Sequence, residues 1–143
     1  MKDKFIKLYL NIASEVAKMS YARRLQVGAV IVKEDRIISM GYNGTPSGWD
    51  NNCEDEIYDA DVIKLKTKPE VLHAEMNALM KLAKMGGTGG DHATMFLTHS
   101  PCLECAKGIY QAGIEQVYYR QNYRSNEGIE FLKKCRVGID QDV

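Results

Sequence analysis

Apolar residues recur at helical spacing from Phe5 to Met19: Ile6, Leu8, Tyr9, Ile12, Ala13, Val16, Ala17 and Met19. That period predicts an amphipathic helix. Ser20-Tyr21-Ala22-Arg23-Arg24 follows as a connector with two adjacent cations. The pattern then changes. Val27 to Val32 is a short, β-branched apolar run, as expected of a buried strand. Glu34-Asp35 reads as a turn, without the Asn-Gly or Asp-Gly pair that marks a strong type I′ hairpin. Ile37 to Tyr42 is the returning strand. Gly41-Tyr42-Asn43-Gly44-Thr45-Pro46-Ser47-Gly48 is dense in turn formers. Such a loop exposes backbone N–H groups and short side chains that suit a sugar or a phosphate. The same composition also makes an ordinary surface loop.

Between Asp50 and Lys68 the periodicity fades and the segment reads as a lid or insertion, with a short helix around Asp59–Lys66. Pro69-Glu70 predicts the start of a helix that runs to about Met85 and stops at Gly86-Gly87. Ala93 to Thr98 predicts a third strand, and Pro101 to Ala112 a helix ended by Gly113. Gln116 to Arg120 is a fourth strand. Ser125-Asn126 caps a last helix through Lys134, and Arg136 to Ile139 is a final edge strand. Strands that alternate with helices in the second half imply right-handed crossovers and an α/β sheet covered on both faces.

Composition narrows the setting. A chain of 143 residues is one domain, 1–143, large enough for a real core. Lys plus Arg and Asp plus Glu balance at 19 each, which argues against a nucleic-acid polymer as partner, since that needs a basic face. No apolar run reaches the length of a membrane span, and Met1-Lys2-Asp3-Lys4 does not resemble a signal peptide. The expected setting is the cytoplasm, where thiols stay reduced. There, a close pair among the four cysteines reads as a metal site or a redox motif.

The chemistry concentrates in His73-Ala74-Glu75 and Pro101-Cys102-Leu103-Glu104-Cys105. Together they form H-x-E…P-C-x-x-C, the signature of zinc-dependent nucleobase deaminases. His73, Cys102 and Cys105 supply three ligands, and a zinc ion with three protein ligands keeps a fourth position open for chemistry. Glu75 is the expected proton carrier. His73 and Glu75 are two residues apart, which sets them on opposite faces of a helix interior. They can serve one site only at a helix end. Cys102 and Cys105, three apart, share a face. Two helix N-termini are therefore expected to converge on the metal, where their partial positive charge favours thiolates. A purely structural zinc would need a fourth ligand. Cys53 and Cys135 read instead as packed or free thiols, His99 as a residue beside the site, and His92 as solvated.

With these motifs in view, the chain resembles the deoxycytidylate (dCMP) deaminases of the cytidine deaminase-like superfamily, phage members included. The resemblance covers nearly the whole length. It is carried by Val27-Gly28-Ala29-Val30-Ile31-Val32, by Gly41 to Gly48, by His73-Ala74-Glu75-Met76-Asn77-Ala78 and by Ser100-Pro101-Cys102-Leu103-Glu104-Cys105-Ala106-Lys107. It implies a three-layer α/β/α sandwich on a five-stranded mixed sheet. It implies hydrolysis of dCMP to dUMP with release of ammonia, feeding thymidylate synthesis in the cytoplasm, which is the host's if a phage encodes the chain. It further implies a homohexamer activated by dCTP and inhibited by dTTP. By position, His73, Cys102 and Cys105 match the zinc ligands and Glu75 the proton shuttle. The Ala74 N–H would hold the pyrimidine carbonyl, the Ser100 carbonyl the exocyclic amine, and Asn43 the sugar. Ser47, Arg23 and Tyr123 are candidates around the phosphate and ring. Gly44, Gly48 and Lys84 are candidates for the effector triphosphate, and Arg24, Arg120 and Arg124 are further cations that could meet a phosphate. Some phage relatives carry a second, structural zinc on cysteines near the end of the first helix. Here Ser20-Tyr21-Ala22 stands in that place, so one zinc per chain is expected.

Two related activities fit less well. A tRNA adenosine deaminase would need a basic face, and a free-nucleoside cytidine deaminase typically has cysteine where His73 stands. A catalytically dead zinc or effector sensor would have no use for Glu75.

Overall fold

A computed structural model describes residues 1–142; Val143, the expected end of the domain, lies outside the described residues. The first helix, α1 (Asp3–Ala17), buries Ile6, Tyr9, Leu10, Ala13 and Ala17 along one face, whereas Leu8 and, beyond the helix, Met19 are exposed. β1 (Gly28–Lys33) and β2 (Arg36–Tyr42) form an antiparallel hairpin. Glu34 and Asp35 both take positive φ, 51° and 61°. The turn therefore has I′ geometry although its sequence signal is weak. The hairpin's pairing imposes a conformation that neither residue favours alone.

β5 (Thr94–His99), β6 (Gln116–Gln121) and β7 (Gly138–Gln141) complete a five-stranded sheet in the order β2-β1-β5-β6-β7. β1 pairs antiparallel with β5, whereas β5–β6 and β6–β7 are parallel. The sheet is mixed because the N-terminal hairpin joins a parallel second half built by helical crossovers. α2 (Ala74–Met85), α3 (Leu103–Gln111) and α4 (Glu127–Lys134) supply the remaining helices.

Alternating side chains of the sheet separate into two cores. Val30, Val32 and Phe96 face α1, where Phe96 lies between Tyr9 and Tyr118. Ala29, Ile31, Met95 and Leu97 face the other way, against Ala78 and Leu79 of α2, Ile109 of α3 and Leu132 of α4. The result is the expected three-layer α/β/α sandwich. No helix among the described residues is long and apolar enough to cross a membrane.

Two stretches differ from expectation. Asp59–Lys66 is not helical: β3 (Glu54–Asp59) and β4 (Val62–Thr67) form a separate two-stranded antiparallel sheet, turned at Ala60 with φ 53°. Its side chains are exposed on both faces apart from a few positions, so no apolar alternation betrays it in the sequence. The second helix begins at Ala74, not at Pro69-Glu70. Leu72 and Gly44 exchange backbone hydrogen bonds at 2.8 and 3.1 Å, which holds the residues before His73 extended along the Gly-rich loop. The favourable start at Pro69 loses to that bridge.

Candidate metal centre and cleft

His73 is the N-cap of α2 and has no capping hydrogen bond from its side chain, so the imidazole is free to turn elsewhere. It turns toward α3. His73 Nδ1 lies 3.3 Å from Cys105 Sγ and 3.6 Å from Cys102 Sγ. Cys102 is the N-cap of α3, and its sulfur accepts the Cys105 N–H at 3.5 Å. The three ligand atoms lie within 4.8 Å of one another. Tetrahedral zinc, with Zn–S of about 2.3 Å and Zn–N of about 2.0–2.1 Å, needs N···S edges of about 3.5 Å. One imidazole and two thiols at these separations fit such an ion.

The three donors are electrostatically coupled. The Cys102 thiol is pulled down to about 4, first by the Cys105 thiol and then by His73. Cys105 is pushed up, by its hydrogen bond to Cys102 and by burial. His73 is raised by its bond to Cys102. Glu75, in the first turn of α2 and 4% exposed, is pushed up to about 7 by burial.

Two glycines allow this approach of backbones. A Cβ on Gly41 in β2 would lie 2.5 Å from the Ala74 carbonyl oxygen, and one on Gly128 in α4 would overlap the Pro101 carbonyl oxygen. Neighbouring elements thus press directly on the starts of α2 and α3, leaving no room for a side chain.

A cleft of about 510 Å³ opens beside the donor group. Its wall includes His73, Ala74, Glu75, Ser100 and Cys102, together with Arg24, Asn43 and Tyr123. Leu25, Val27, Thr67, Val71 and His99 complete it. Arg24 Nη2 donates to the Tyr123 hydroxyl at 2.7 Å. Ser100 Oγ accepts the Tyr123 N–H at 2.8 Å, tying that segment to the end of β5. The Asn43 side chain accepts the Val27 N–H and donates to the Leu25 carbonyl, so it also shapes the cleft through the backbone.

Two residues expected around the phosphate lie elsewhere. Arg23 turns outward to Glu56, at 2.9 Å, and to Asn52. Its neighbour Arg24 enters the cleft instead. Ser47 lines a second, larger cleft of about 1170 Å³, together with Gly44, Gly48, Lys81 and Lys84. Asn43 borders both clefts. Arg120 is committed to α1, donating to Asn11 and Ser14. His99 borders the first cleft and its pKa is lowered by burial; its Nδ1 is 2.8 Å from Thr98 Oγ1. Cys53 is buried, Cys135 is half-buried, and His92 is exposed between Asp91 and Glu115. Sequence reasoning missed the wall made by Thr67 and Val71. They reach the cleft only through the unforeseen hairpin and the extended segment after it.

Fold and donor set define the cytidine deaminase-like class. The family described as "Cytidine and deoxycytidylate deaminase zinc-binding region" matches residues 3–121. ComE operon protein 2 of Bacillus subtilis is 36% identical over 127 residues, covering 88% of this chain and 65% of the relative. Deoxycytidylate deaminase of Saccharomyces cerevisiae is 35% identical over 146 residues, covering 99% of this chain and 46% of the relative. The chain thus spans about two-thirds and about half of the length of these relatives. The dCMP deaminase of cyanophage S-TIM5, solved in complex with dCMP and dUMP, superposes with a TM-score of 0.89 at 40% identity, covering 99% of both chains. The chain belongs to the cytidine and deoxycytidylate deaminase family.

Proposed function

We propose that this chain hydrolyses dCMP to dUMP and ammonia. The observation that carries the reading is a single cleft bordered by His73 and Cys102 of the His-Cys-Cys group, by buried Glu75 and by an arginine. Similarity over the full length to a cyanophage enzyme solved with dCMP and dUMP supports the choice of base and of phosphate. The first two parts of the wall serve chemistry on an amine-bearing ring, and the third serves an anion.

His73, Cys102 and Cys105 would hold one zinc ion per chain. Bound there, zinc would supply the Lewis acidity that makes water nucleophilic at neutral pH. Glu75 takes the proton released as water adds to the ring carbon bearing the amine. It delivers that proton to the adjacent ring nitrogen, and a further transfer lets ammonia leave. Ala74 opens α2, where a first-turn N–H has no acceptor within its helix, so it is available to the pyrimidine carbonyl. The Ser100 carbonyl orients the exocyclic amine, and Asn43 meets the sugar. Arg24 meets the 5′-phosphate, where a planar guanidinium offers two parallel donors, and Tyr123 borders the ring.

The second cleft suits an anionic effector. Its glycines and two lysines, Lys81 and Lys84, fit a triphosphate. Activation by dCTP, inhibition by dTTP and a homohexamer belong to this reading, as does a role in supplying dUMP for thymidylate synthesis in the cytoplasm.

The test is ammonia release from dCMP, dCTP, deoxycytidine and a tRNA anticodon stem-loop in parallel, with dCTP and dTTP added in turn. Turnover of dCMP alone, raised by dCTP and lowered by dTTP, is the expected result. Turnover of RNA alone would overturn the substrate.

A further inference from the structure

The hairpin β3–β4 has little to bury, yet its first residue does the opposite of its neighbours. Glu54 is 1% exposed, while the other residues of β3 are exposed. Its Oε2 accepts the backbone N–H groups of both Arg23 and Arg24, each at 3.0 Å. Its Oε1 makes no hydrogen bond and lies 3.6 Å from Arg23 Nε. A buried carboxylate is costly, and an apolar side chain of similar size is often no less stable in its place. A hairpin lacking an apolar face has still less reason to carry one for stability alone.

The two bonds fall on consecutive peptides, so the carboxylate fixes how the chain turns between Arg23 and Arg24. That turn sends neighbouring arginines in different directions. Arg23 runs out to Glu56 and Asn52, and Arg24 runs into the cleft to Tyr123. The ends of the same segment are held elsewhere. Ser20 Oγ accepts the Ala22 N–H and donates to the Asn43 carbonyl, and the Asn43 side chain holds Leu25 and Val27. Glu54 grips the middle.

We infer that Glu54 is a positioning residue for nucleotide binding. Carried in by the hairpin, its buried carboxylate presets Arg24 in the cleft for the phosphate. The inference rests on the reading of that cleft as the dCMP site. The exposed hairpin thereby brings an acceptor to a segment distant in sequence.

A double-mutant cycle separates this role from mere anchoring. Glu54→Ala, Glu54→Leu, Glu54→Gln and Arg24→Ala are made alone, and the first two are also combined with Arg24→Ala. KM and kcat for dCMP are measured, with the dissociation constant for dUMP alongside. Glu54→Ala and Glu54→Leu are expected to raise KM about tenfold with kcat changed far less, on the scale of one charge-assisted hydrogen bond. Glu54→Gln keeps an oxygen that can accept both N–H groups and is expected to restore most of the affinity. In the Arg24→Ala background the Glu54 substitutions are expected to cost nothing more. Equal costs with and without Arg24 would overturn the inference and leave the dCMP reading standing. So would failure of both the Ala and Leu variants to fold. A parent chain that neither turns over dCMP nor binds dUMP would overturn both.

Discussion

At one end of the cleft, His73 and Cys102 cap two helices whose next turns enter the main core through Ala74, Ala78, Ala106 and Ile109. Elsewhere in the same wall, Arg24 and Tyr123 stand on segments held by polar contacts to Glu54, Asn43 and Ser100. The first end is rigid because apolar packing fixes the helices and the helices fix the ligands. The second is fixed residue by residue, through hydrogen bonds between parts of the chain far apart in sequence. On the proposed reading, the metal donors thus sit on packed helices and the phosphate contact on a segment held by polar bonds. Binding loops placed on a rigid scaffold follow the same division.

The comparison can be broken first at the metal. Replacing Cys105 with Ala removes one of the three grouped donors, a residue that is 1% exposed. Zinc content and ammonia release should both fall to background, as read by metal analysis and a coupled assay on one sample. Glu75→Gln should divide the two functions of that end: zinc is retained, while kcat falls by roughly 10²–10⁴-fold. Near-normal turnover in that variant would remove Glu75 from the proton path.

The second end predicts a different kinetic signature. Arg24→Ala should raise KM for dCMP by roughly ten- to a hundredfold with a smaller change in kcat, the loss of charged hydrogen bonds worth about 1.5–3 kcal/mol. Arg23→Ala should raise it less, since Arg23 points to Glu56 and away from the cleft. An equal effect of the two would erase the distinction drawn between them.

The difference in construction also explains what could be read from the sequence. H-x-E and P-C-x-x-C are local, and their spacing alone requires helix ends at the metal; the N-caps at His73 and Cys102 meet that requirement. Strand and helix order followed from periodicity wherever a side is buried. It failed over Glu54–Thr67, where both faces are exposed and no period exists. It also failed at Pro69, where the pairing of Leu72 with Gly44 delays the helix. Which of two adjacent arginines enters the cleft is decided by Glu54, some thirty residues away. Composition and spacing carry no trace of such a contact.

Smaller effects sharpen the same contrast. Gly128→Ala places a Cβ against the Pro101 carbonyl, behind Cys102. Overpacking of this kind costs typically about 1–3 kcal/mol, so thermal melting should shift down by several degrees. On the exposed hairpin, Tyr58→Ser should change stability by no more than about 0.5 kcal/mol, since the residue is 71% exposed. A large loss there would mean that the hairpin is held by more than its base.

The most direct test follows zinc content and dCMP turnover through one cycle on one sample: as purified, after removal of zinc by a chelator, and after zinc is added back. The expected result is one zinc per chain with ammonia released from dCMP, loss of both on chelation, and return of both with zinc. Turnover that survives complete removal of the metal, or a zinc-loaded chain that releases no ammonia from dCMP, would contradict the assignment of His73, Cys102, Cys105 and Glu75 to dCMP deamination.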